Sequence, residues 1–543
     1  AGVPESRWVA AEAFFDGLAD PEEPYPIYEG ELYLEYHRAV TTTQSETKRL
    51  NRKAEKALFA WEAMRTLTGG APLTAEQWDR VLLTHFHDAI PGSSIGLVYE
   101  ELETDLQKTI EAAHEAVLAE APRGDEAALF NPLPVSVTKV VDTYGNGALA
   151  AALKEAGFEG QSVVAPDGNS AQVFLLTAAP GSVATTASGL VSKTAARPVE
   201  TGRFSLQNGI VDVRFDKDGN LEFLSVYDTD LGVTRAGLVT FADQPAKFDA
   251  WDVDRGTLAL GTDAGPADEV VVAEEGPLRG IIQTTHKVGK ASFVKTRYIL
   301  EAGSDMLDIE LEVDWRETHV LLKHHFATRH HQGQARFGTP FGSVVRSRVR
   351  GHEDVEAQWE MSAQRWLALT DAGGQDGIAW ITEAKYGVSC HDGNVGLSLL
   401  RASTEPDEQA DRGRHTIRYA VGRYQSRTGE IGPSTALAAE TRYSPLFALE
   451  NASAARGPVE VVAADSLVPT SPKPSEGGTG FVMRLWEASG LSGTATLAPA
   501  DGILVYESDI LESKGRQLRV DDNGLLRLKY APYELISLLF ERS

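Results

Sequence analysis

Cysteine is almost absent from this chain of 543 residues, which contains one, Cys390. A single cysteine excludes an intrachain disulfide framework and any zinc site built from several thiolates, so Cys390 is predicted to be a small buried apolar residue. No apolar run approaches the roughly 20 residues of a membrane span, and the N-terminus shows no signal-peptide pattern. These absences predict a cytoplasmic protein that is not attached to a membrane.

Basic residues are also scarce relative to acidic ones, 51 Lys and Arg against 78 Asp and Glu, for a formal net charge of -27. Such a surface repels phosphate backbones, which excludes nucleic acid as a partner, and polybasic attachment to a membrane is excluded likewise. The length predicts about three domains. The sequence begins without an initiating methionine, and its opening letters are typical of the interior of a chain, so we expect further residues upstream.

The first stretch of the chain has helical periodicity. From Ser45 the apolar residues recur at spacings of three and four, and Gly69-Gly70 ends this pattern. Thr74 has the position of a capping box for a second helix, and Ser94 is placed to cap a third. Helices joined by short segments predict an antiparallel three-helix bundle over residues 1–122.

Beyond that point strand patterns dominate, without a long helical pattern between them. Asn208-Gly209 and Asp218-Gly219 are hairpin signals. We expect a large antiparallel β-sandwich region over 123–455 and a smaller terminal β domain over 456–543, with Pro469–Gly478 as a linker or long loop near its start. The predicted fold class is therefore α+β multidomain.

The richest local motif is THFHDAIPGSS, residues 84–94, at the end of the second predicted helix. His85 follows Trp78 by seven residues, so it shares that apolar face and is predicted to point to the core. His87 points elsewhere. Its neutral imidazole suits a zinc-type ion, and Asp88 can orient a ligand or accept hydrogen bonds from hydroxyl groups. The alternative is a histidine that favours the negative end of a helix dipole.

A second cluster of histidines spans His319 to His331 and offers an alternative metal site. Neighbouring residues of a strand point to opposite faces, so this density does not by itself converge on one point. The one His-x-Asp spacing of the chain, from His352 to Asp354, lies in a polar run that is typical of a solvated loop.

Two further stretches carry chemistry that suits sugars. KFDAWDVDRG, residues 247–256, combines aromatic and acidic groups, as in a carbohydrate-binding platform, and a surface loop is the alternative. DRGRH, residues 411–415, carries arginines suited to forked hydrogen bonds, or to a solvated face. The sequence contains no Ser-His-Asp elbow, phosphate-binding glycine loop or dinucleotide fingerprint.

Several stretches together resemble the glycoside hydrolase family 38 α-mannosidases, in particular their bacterial and cytosolic branch. They occur in the order of the family and cover nearly the whole chain. They are GELYLEYHRAVTTTQSETKRLNRKAE (30–55), THFHDAIPGSS (84–94), ALFNPLPVS (128–136), VDWRETHVLLK (313–323) and LLRASTEPDEQADRGRH (399–415).

The resemblance implies roles for individual residues. By motif position His87 corresponds to a zinc-ligand histidine of the family, and Asp88 to the aspartate that contacts the sugar. Arg412 resembles an arginine that holds the substrate. Trp251 is the candidate for an aromatic side chain that a β-domain loop brings to the site, and His37 lies near the pocket.

The resemblance also implies what this chain lacks. Members of the family begin with a β/α catalytic domain that supplies the nucleophile, the acid/base carboxylate and the remaining zinc ligands, so no catalytic residue is assigned here. It implies retaining hydrolysis of an α-mannoside for the full-length protein, with an incomplete zinc site and no activity in this chain alone. The missing catalytic domain is then its partner, and a homo-oligomer is left open. The alternative is a non-catalytic carbohydrate-binding or scaffold module.

Overall fold

The computed structural model describes residues 6–18, 25–28, 31, 36–165, 168–183, 185–187, 193–200, 203–331, 334–348, 351, 353–371, 373–374, 376–429 and 431–543. The chain divides into two compact units, residues 1–35 and 36–543. The first contains helix α1, Ala11–Asp16, whose side chains are exposed. The second is mostly β-sheet, with several sheets and few helices among its described residues.

The predicted helices near the start of the second unit are present, at Ser45–Thr68 (α2), Ala75–Thr84 (α3) and Gly96–Glu120 (α4). Helix α2 ends where Gly69 adopts a φ of 77°, a conformation that suits a residue without Cβ. The capping box of α3 is confirmed, because the Gln77 side chain accepts the Thr74 N–H at 2.7 Å.

Apolar side chains of these helices, with Leu73 of the segment between α2 and α3, share one buried cluster, so the helices pack on one another. Its members are Leu50, Ala54, Ala57, Leu58, Leu73, Val81, Leu106, Ile110 and Ala113. The prediction that Ser94 caps α4 is wrong. The helix begins one residue later, with Ile95 at the capping position, and the Ser94 hydroxyl instead donates to the Asp88 carbonyl at 2.8 Å.

Two large antiparallel sheets form the body of the molecule. In order of pairing, the first contains Met361–Ser362, Gly387–His391, Asn394–Arg401, Val320–Thr328, Val233–Ala242, Leu221–Val226, Val211–Phe215, Arg203–Gln207 and Ala195–Glu200, with Thr229–Asp230 and Gly261–Asp263 at its side. The second contains Glu269–Glu275, Arg279–Val288, Ser292–Glu301, Met306–Trp315, Gly413–Arg423, Gly377–Thr382, Trp366–Thr370, Gln334–Thr339 and Gly342–Arg346. Side chains of both sheets share one core, in which Phe326 of the first sheet contacts Trp380 of the second, so the sheets pack face to face.

Smaller antiparallel sheets surround this body. One pairs Arg123–Phe130 with Phe447–Ala452, and another joins Val137–Asp142, Ser170–Ala178, Gly160–Val164 and Thr185–Ala187. Toward the C-terminus lie Val459–Ala463, Gly493–Pro499 and Leu526–Tyr530 in one sheet, and Leu467–Pro469, Gly480–Glu487, Leu535–Arg542, Ile503–Ser508, Lys514–Leu518 and Lys473–Pro474 in another.

Both predicted hairpins are confirmed. Gly209 and Gly219 have φ angles of 80° and 81°, and the strands on either side of each pair antiparallel. Cys390 is buried, as predicted, and burial raises the pKa of its thiol to about 12. Among the described residues, no helix has both the length and the apolar character needed to cross a bilayer.

Some elements were not predicted. Short helices lie at Gly147–Glu155 (α5), Glu353–Glu356 (α6) and Thr435–Thr441 (α7). The segment Pro469–Gly478 is not a linker, because Pro469 and Pro474 lie in short strands that pair with Gly480–Glu487. Proline cannot donate to a sheet, but it is tolerated in edge strands of this kind.

Candidate functional site

His87 lies in the loop that follows helix α3, and 77% of its side chain is exposed. Its Nε2 is 3.3 Å from Asp88 Oδ2. The neighbouring Phe86 ring lies 4.4 Å from the imidazole, centre to centre. The loop therefore presents an imidazole and a carboxylate side by side at the surface, where a ligand can reach both.

Asp88 is held in place by its other polar atoms. The Ser93 hydroxyl donates to Asp88 Oδ1 at 3.1 Å. The backbone carbonyl accepts the hydroxyls of Ser94, at 2.8 Å, and Tyr99, at 3.2 Å. Burial, together with the charges of Asp407 and Asp88, raises the pKa of Tyr99 to about 12, so its hydroxyl stays protonated and able to donate. These contacts fix one carboxylate oxygen and leave the other facing His87.

The prediction that His85 points to the core is wrong, because 41% of its side chain is exposed. Helix α3 ends at Thr84, so the seven-residue spacing from Trp78 does not continue to this residue. His85 Nε2 instead lies 3.3 Å from Glu55 Oε1. Burial alone would raise the pKa of Glu55, but His85 and Arg52 hold it at about 2.

The loop is anchored to the start of helix α2. Gly92 has a φ of 96°, and a Cβ there would lie 2.7 Å from the Thr43 carbonyl oxygen, so this close approach requires glycine. Lys48 Nζ donates to the carbonyl of Ile90 at 2.6 Å and to that of Thr43. Burial lowers the pKa of Lys48 to about 7, although the charge of Asp411 opposes this shift.

Residues 36–44 and the loop that carries Trp251 form a second part of the candidate site, beside the His87 loop. The Ala39 N–H donates to the Trp251 carbonyl at 2.9 Å, and the Thr43 hydroxyl donates to the Ala250 carbonyl at 3.0 Å. His37 is exposed and Trp251 is half-buried. The backbone thus joins these two predicted substrate-binding segments directly.

A third loop, residues 403–412, contacts the start of helix α2 as well. The Asp411 carboxylate accepts the backbone N–H groups of Gln44, at 2.9 Å, and Ser45, at 2.6 Å, at the start of helix α2. The Gln44 side chain donates to Asp407 Oδ2 at 2.6 Å. Arg412 follows this anchor and is exposed. Burial raises the pKa of Asp411, and the charges of His415 and Lys385 oppose that rise.

The loops that carry the predicted site residues are therefore connected around the start of α2. They carry His37, His87, Asp88, Trp251 and Arg412. The sequence did not identify the residues that join them. The motif DRGRH contained the clearest signal for such a residue, because it begins with Asp411, whereas the prediction there rested on the arginines.

The residues present do not make up a zinc site on their own. A catalytic zinc needs about three protein ligands and an open position. No group of three or more His, Cys, Asp and Glu suited to a metal occurs in the described part of the chain. His87 and Asp88 supply one imidazole and one carboxylate.

Histidines of the segment 319–331 make contacts within the fold. His324 is buried and bonds through Nδ1 to the Tyr419 hydroxyl, while His319 Nε2 lies 3.0 Å from Asp249 Oδ2. His330 and His331 bond to backbone carbonyls. His352 of the His-x-Asp motif lies outside the described residues.

The carboxylates of the 247–256 stretch are largely occupied. Asp249 Oδ2 accepts the Thr404 N–H at 2.7 Å as well as facing His319. Burial would raise the pKa of Asp249, but Thr404 and His319 hold it below its ordinary value. Asp252 Oδ1 lies 3.6 Å from Nη1 of the buried Arg38. These acids position the loop, which leaves the aromatic rings of Phe248 and Trp251 as its groups for a sugar face.

Apolar side chains flank the His87 loop on its exposed side. Each is more than half exposed, namely Leu82, Leu83, Phe86, Ile95 and Leu97. Single exposed apolar residues are ordinary, but a group of them around a polar pair marks a surface that binds something.

Two family models match the chain, the "Alpha mannosidase middle domain" over residues 35–121 and the "Glycosyl hydrolases family 38 C-terminal domain" over residues 206–409. Alpha-mannosidase 2C1 of Homo sapiens is 29% identical over 578 residues, which cover 99% of this chain and 53% of the relative. Alpha-mannosidase G of Dictyostelium discoideum is 24% identical over 620 residues, covering 99% and 55%. The chain thus spans about half the length of the curated relatives it matches.

A solved structure shares the fold. The alpha-mannosidase from Enterococcus faecalis V583 superposes with a TM-score of 0.70 at 15% identity, covering 93% of this chain and 68% of the other. Both matched models and these relatives agree with the ordered motifs. The chain therefore belongs to glycoside hydrolase family 38, of which it carries the α-mannosidase middle and C-terminal domains.

Proposed function

We propose that this chain works as part of a retaining, zinc-dependent α-mannosidase. In this proposal His87 is one ligand of the zinc, and the remaining ligands come from residues outside those described here. The observation that carries the proposal is the meeting of several loops around the start of helix α2, since each brings a residue implied by the family resemblance.

The proposed substrate is an α-mannoside or a mannose-containing oligosaccharide. Asp88 accepts hydrogen bonds from sugar hydroxyls, and its fixed oxygen supports this role. Arg412 offers a planar set of donors to the same class of group. Trp251 provides an apolar face for sugar C–H groups, and His37 lines the edge of the pocket.

The chemistry of bond cleavage is assigned to another domain. Retaining hydrolysis requires two carboxyl groups about 5–5.5 Å apart, one as nucleophile and one for proton transfer. We assign no catalytic residue to this chain and propose that it is inactive alone. The exposed apolar residues around His87 support a covering partner, and the β/α catalytic domain of the family is the occupant we propose.

The proposal also includes a division of the chain into domains. We propose a three-helix bundle over 1–122, a β-sandwich region over 123–455 and a terminal β domain over 456–543. The single cysteine supports a reducing, cytoplasmic compartment. An alternative function is a carbohydrate-binding or scaffold module without catalysis, which the large core shared by the two main sheets favours.

The experiment joins this chain to the catalytic domain of an α-mannosidase and compares His87→Ala with His85→Ala. We expect His87→Ala to remove most zinc and most hydrolysis of an aryl α-mannoside. His85, two residues away and also exposed, is the matched control and should leave both unchanged. Equal zinc and activity in the two variants would contradict the proposal.

The chain alone provides a second measurement. It should release no detectable product from an aryl α-mannoside, with or without added zinc. Turnover that depends on zinc would contradict the assignment of the catalytic carboxylates to another domain. Binding of mannose to the chain alone, with no effect of His87→Ala in the joined protein, would support the carbohydrate-binding alternative.

A further inference from the structure

A cavity of about 330 Å³ lies against the side of helix α2, and no residue of the site loops described above lines it. Helix α4, strand Val137–Asp142 and the end of helix α7 with the segment after it contribute to its wall, together with Thr382, Glu383 and Arg418. Among its described lining residues seven are Lys or Arg, and one, Glu383, is acidic. This is the reverse of the chain as a whole, whose formal net charge is -27.

Most of these cations already have a carboxylate partner. Distances of 2.7–2.9 Å join Arg49 Nε to Glu46, Arg52 Nη1 to Glu55, Arg418 Nε to Glu383 and Arg442 Nε to Asp308, and Lys56 pairs with Glu440. These pairs cancel five of the seven positive charges in the wall.

Lys53 and Lys139 have no such partner among the described residues. The Lys139 ammonium donates to the carbonyls of Arg442, at 2.6 Å, and Ser444, at 3.0 Å, which leaves its third proton uncommitted. Burial lowers the pKa of Lys139 to about 8, and the charges of Glu301 and Asp308 oppose that shift. Burial and the charge of Arg49 lower the pKa of Lys53 as well. The cavity therefore holds two lysines that form no direct ion pair with a carboxylate among the described residues.

Tyr443 gives an independent sign of a missing ligand. Its side chain lines the cavity, and its hydroxyl is buried without a hydrogen-bond partner in the described structure. Buried hydroxyls are normally paired, because an unpaired one has lost its hydrogen bonds to water without replacement. A phosphate oxygen would accept from this hydroxyl.

We propose that this cavity binds a small molecule that carries a phosphate monoester. A phosphate monoester bears a charge of about -1.5 to -2 near neutral pH, which suits a cavity wall rich in Lys and Arg that includes two lysines without a direct ion pair. The volume is within the range of about 300–1,000 Å³ that small-molecule sites occupy, so a small molecule with one phosphate group fits it. The proposal does not depend on the α-mannosidase function, since none of the proposed sugar or zinc residues lines the cavity.

The test is calorimetric titration of the 543-residue chain with inorganic phosphate and with glucose 6-phosphate, at constant ionic strength maintained with chloride. We expect saturable binding of one phosphate group per chain. Lys53→Met and Lys139→Met should each weaken the affinity by about tenfold or more, since each removes a charge-assisted contact. Lys287→Met, which removes an exposed lysine outside the cavity, is the matched control and should have no effect.

Folding is followed by thermal unfolding without phosphate. Lys53→Met should unfold at or above the wild-type midpoint because it relieves repulsion with Arg49, whereas Lys139→Met should unfold somewhat below it because it loses hydrogen bonds to two carbonyls. Tyr443→Phe removes only the unpaired hydroxyl and should weaken phosphate binding several-fold. The proposal is overturned if phosphate gives no saturable heat at millimolar concentration. It is also overturned if Lys53→Met, Lys139→Met and Tyr443→Phe all bind phosphate as the wild type does.

Discussion

His324 and His87 occupy opposite environments in the same chain. His324 is 1% exposed, in a central strand of the first large sheet, and it bonds to the Tyr419 hydroxyl. Burial lowers its pKa to about 3, so the imidazole stays neutral across the physiological range. His87 is largely exposed and has Asp88 as its neighbour. His324 is therefore buried in the core, whereas His87 is accessible at the surface.

The same contrast extends to charged groups. In the β body Lys323 and Glu360 form an ion pair with side chains 0% and 1% exposed. Asp88 at the exposed loop has instead one oxygen held by a hydroxyl and one left facing His87. Buried charges must keep their partners for the fold to stay stable, whereas exposed reactive groups on an anchored loop are available to a ligand. The contrast predicts which substitutions damage the fold and which damage only function.

The largest expected effect comes from breaking the buried pair. Glu360→Gln leaves the Lys323 ammonium without a countercharge in the core, and we expect a loss of about 3–5 kcal/mol in the free energy of unfolding. Chemical denaturation measures it. Glu312→Gln removes a carboxylate paired with Lys295 at the surface, and there we expect a change below about 1 kcal/mol. Similar losses in the two variants would contradict the contrast.

The next effect depends on pH. Burial would raise the pKa of Glu440, but Arg365 and Lys56 hold it at about 2, below the ordinary value of 4.5. Its contribution to stability is therefore complete above pH 4.5 and is lost as the pH falls toward 2. We expect roughly 3 kcal/mol from this group.

Urea denaturation at neutral pH and at about pH 3 tests this contribution. Between the two, Glu440→Gln should lose less stability than the wild type, because it has no carboxylate to protonate at that position. An equal loss in both proteins would show that Glu440 does not contribute in this way.

A smaller effect is expected where the exposed loop meets helix α2. Gly92→Ala places a Cβ 2.7 Å from the Thr43 carbonyl oxygen at a positive φ, so we expect a loss of about 1–3 kcal/mol. Gly69→Ala is the matched control, since Gly69 has a φ of 77° but no atom within 4 Å of its Cβ position. It should lose about 1 kcal/mol. An equal loss in the two variants would show that the close approach to the Thr43 carbonyl adds nothing to the cost of the positive φ.

The smallest effect on stability is expected at the site itself. His87→Ala should change the free energy of unfolding by less than about 0.5 kcal/mol, because the side chain is largely exposed. Thermal unfolding of the chain alone measures this change. A loss comparable with that of Glu360→Gln would mean that His87 serves the fold.

The sequence predicted the helices and hairpins well because their signals are local. Gly69, Thr74 and the two Gly-containing turns act on their immediate neighbours. The environment of His85 was predicted wrongly, since periodicity does not show that a helix stops at Thr84. The anchoring of helix α2 by Asp411 joins residues more than 350 positions apart, and spacing in a single sequence does not reveal such a contact.

The most direct test of the central claim is X-ray absorption at the zinc edge, on this chain joined to an α-mannosidase catalytic domain. With zinc added to saturation, we expect an imidazole nitrogen about 2.0–2.1 Å from the zinc that is lost in His87→Ala and retained in His85→Ala. A zinc whose ligand shell is unchanged by His87→Ala would contradict the claim that this loop forms one wall of the metal site.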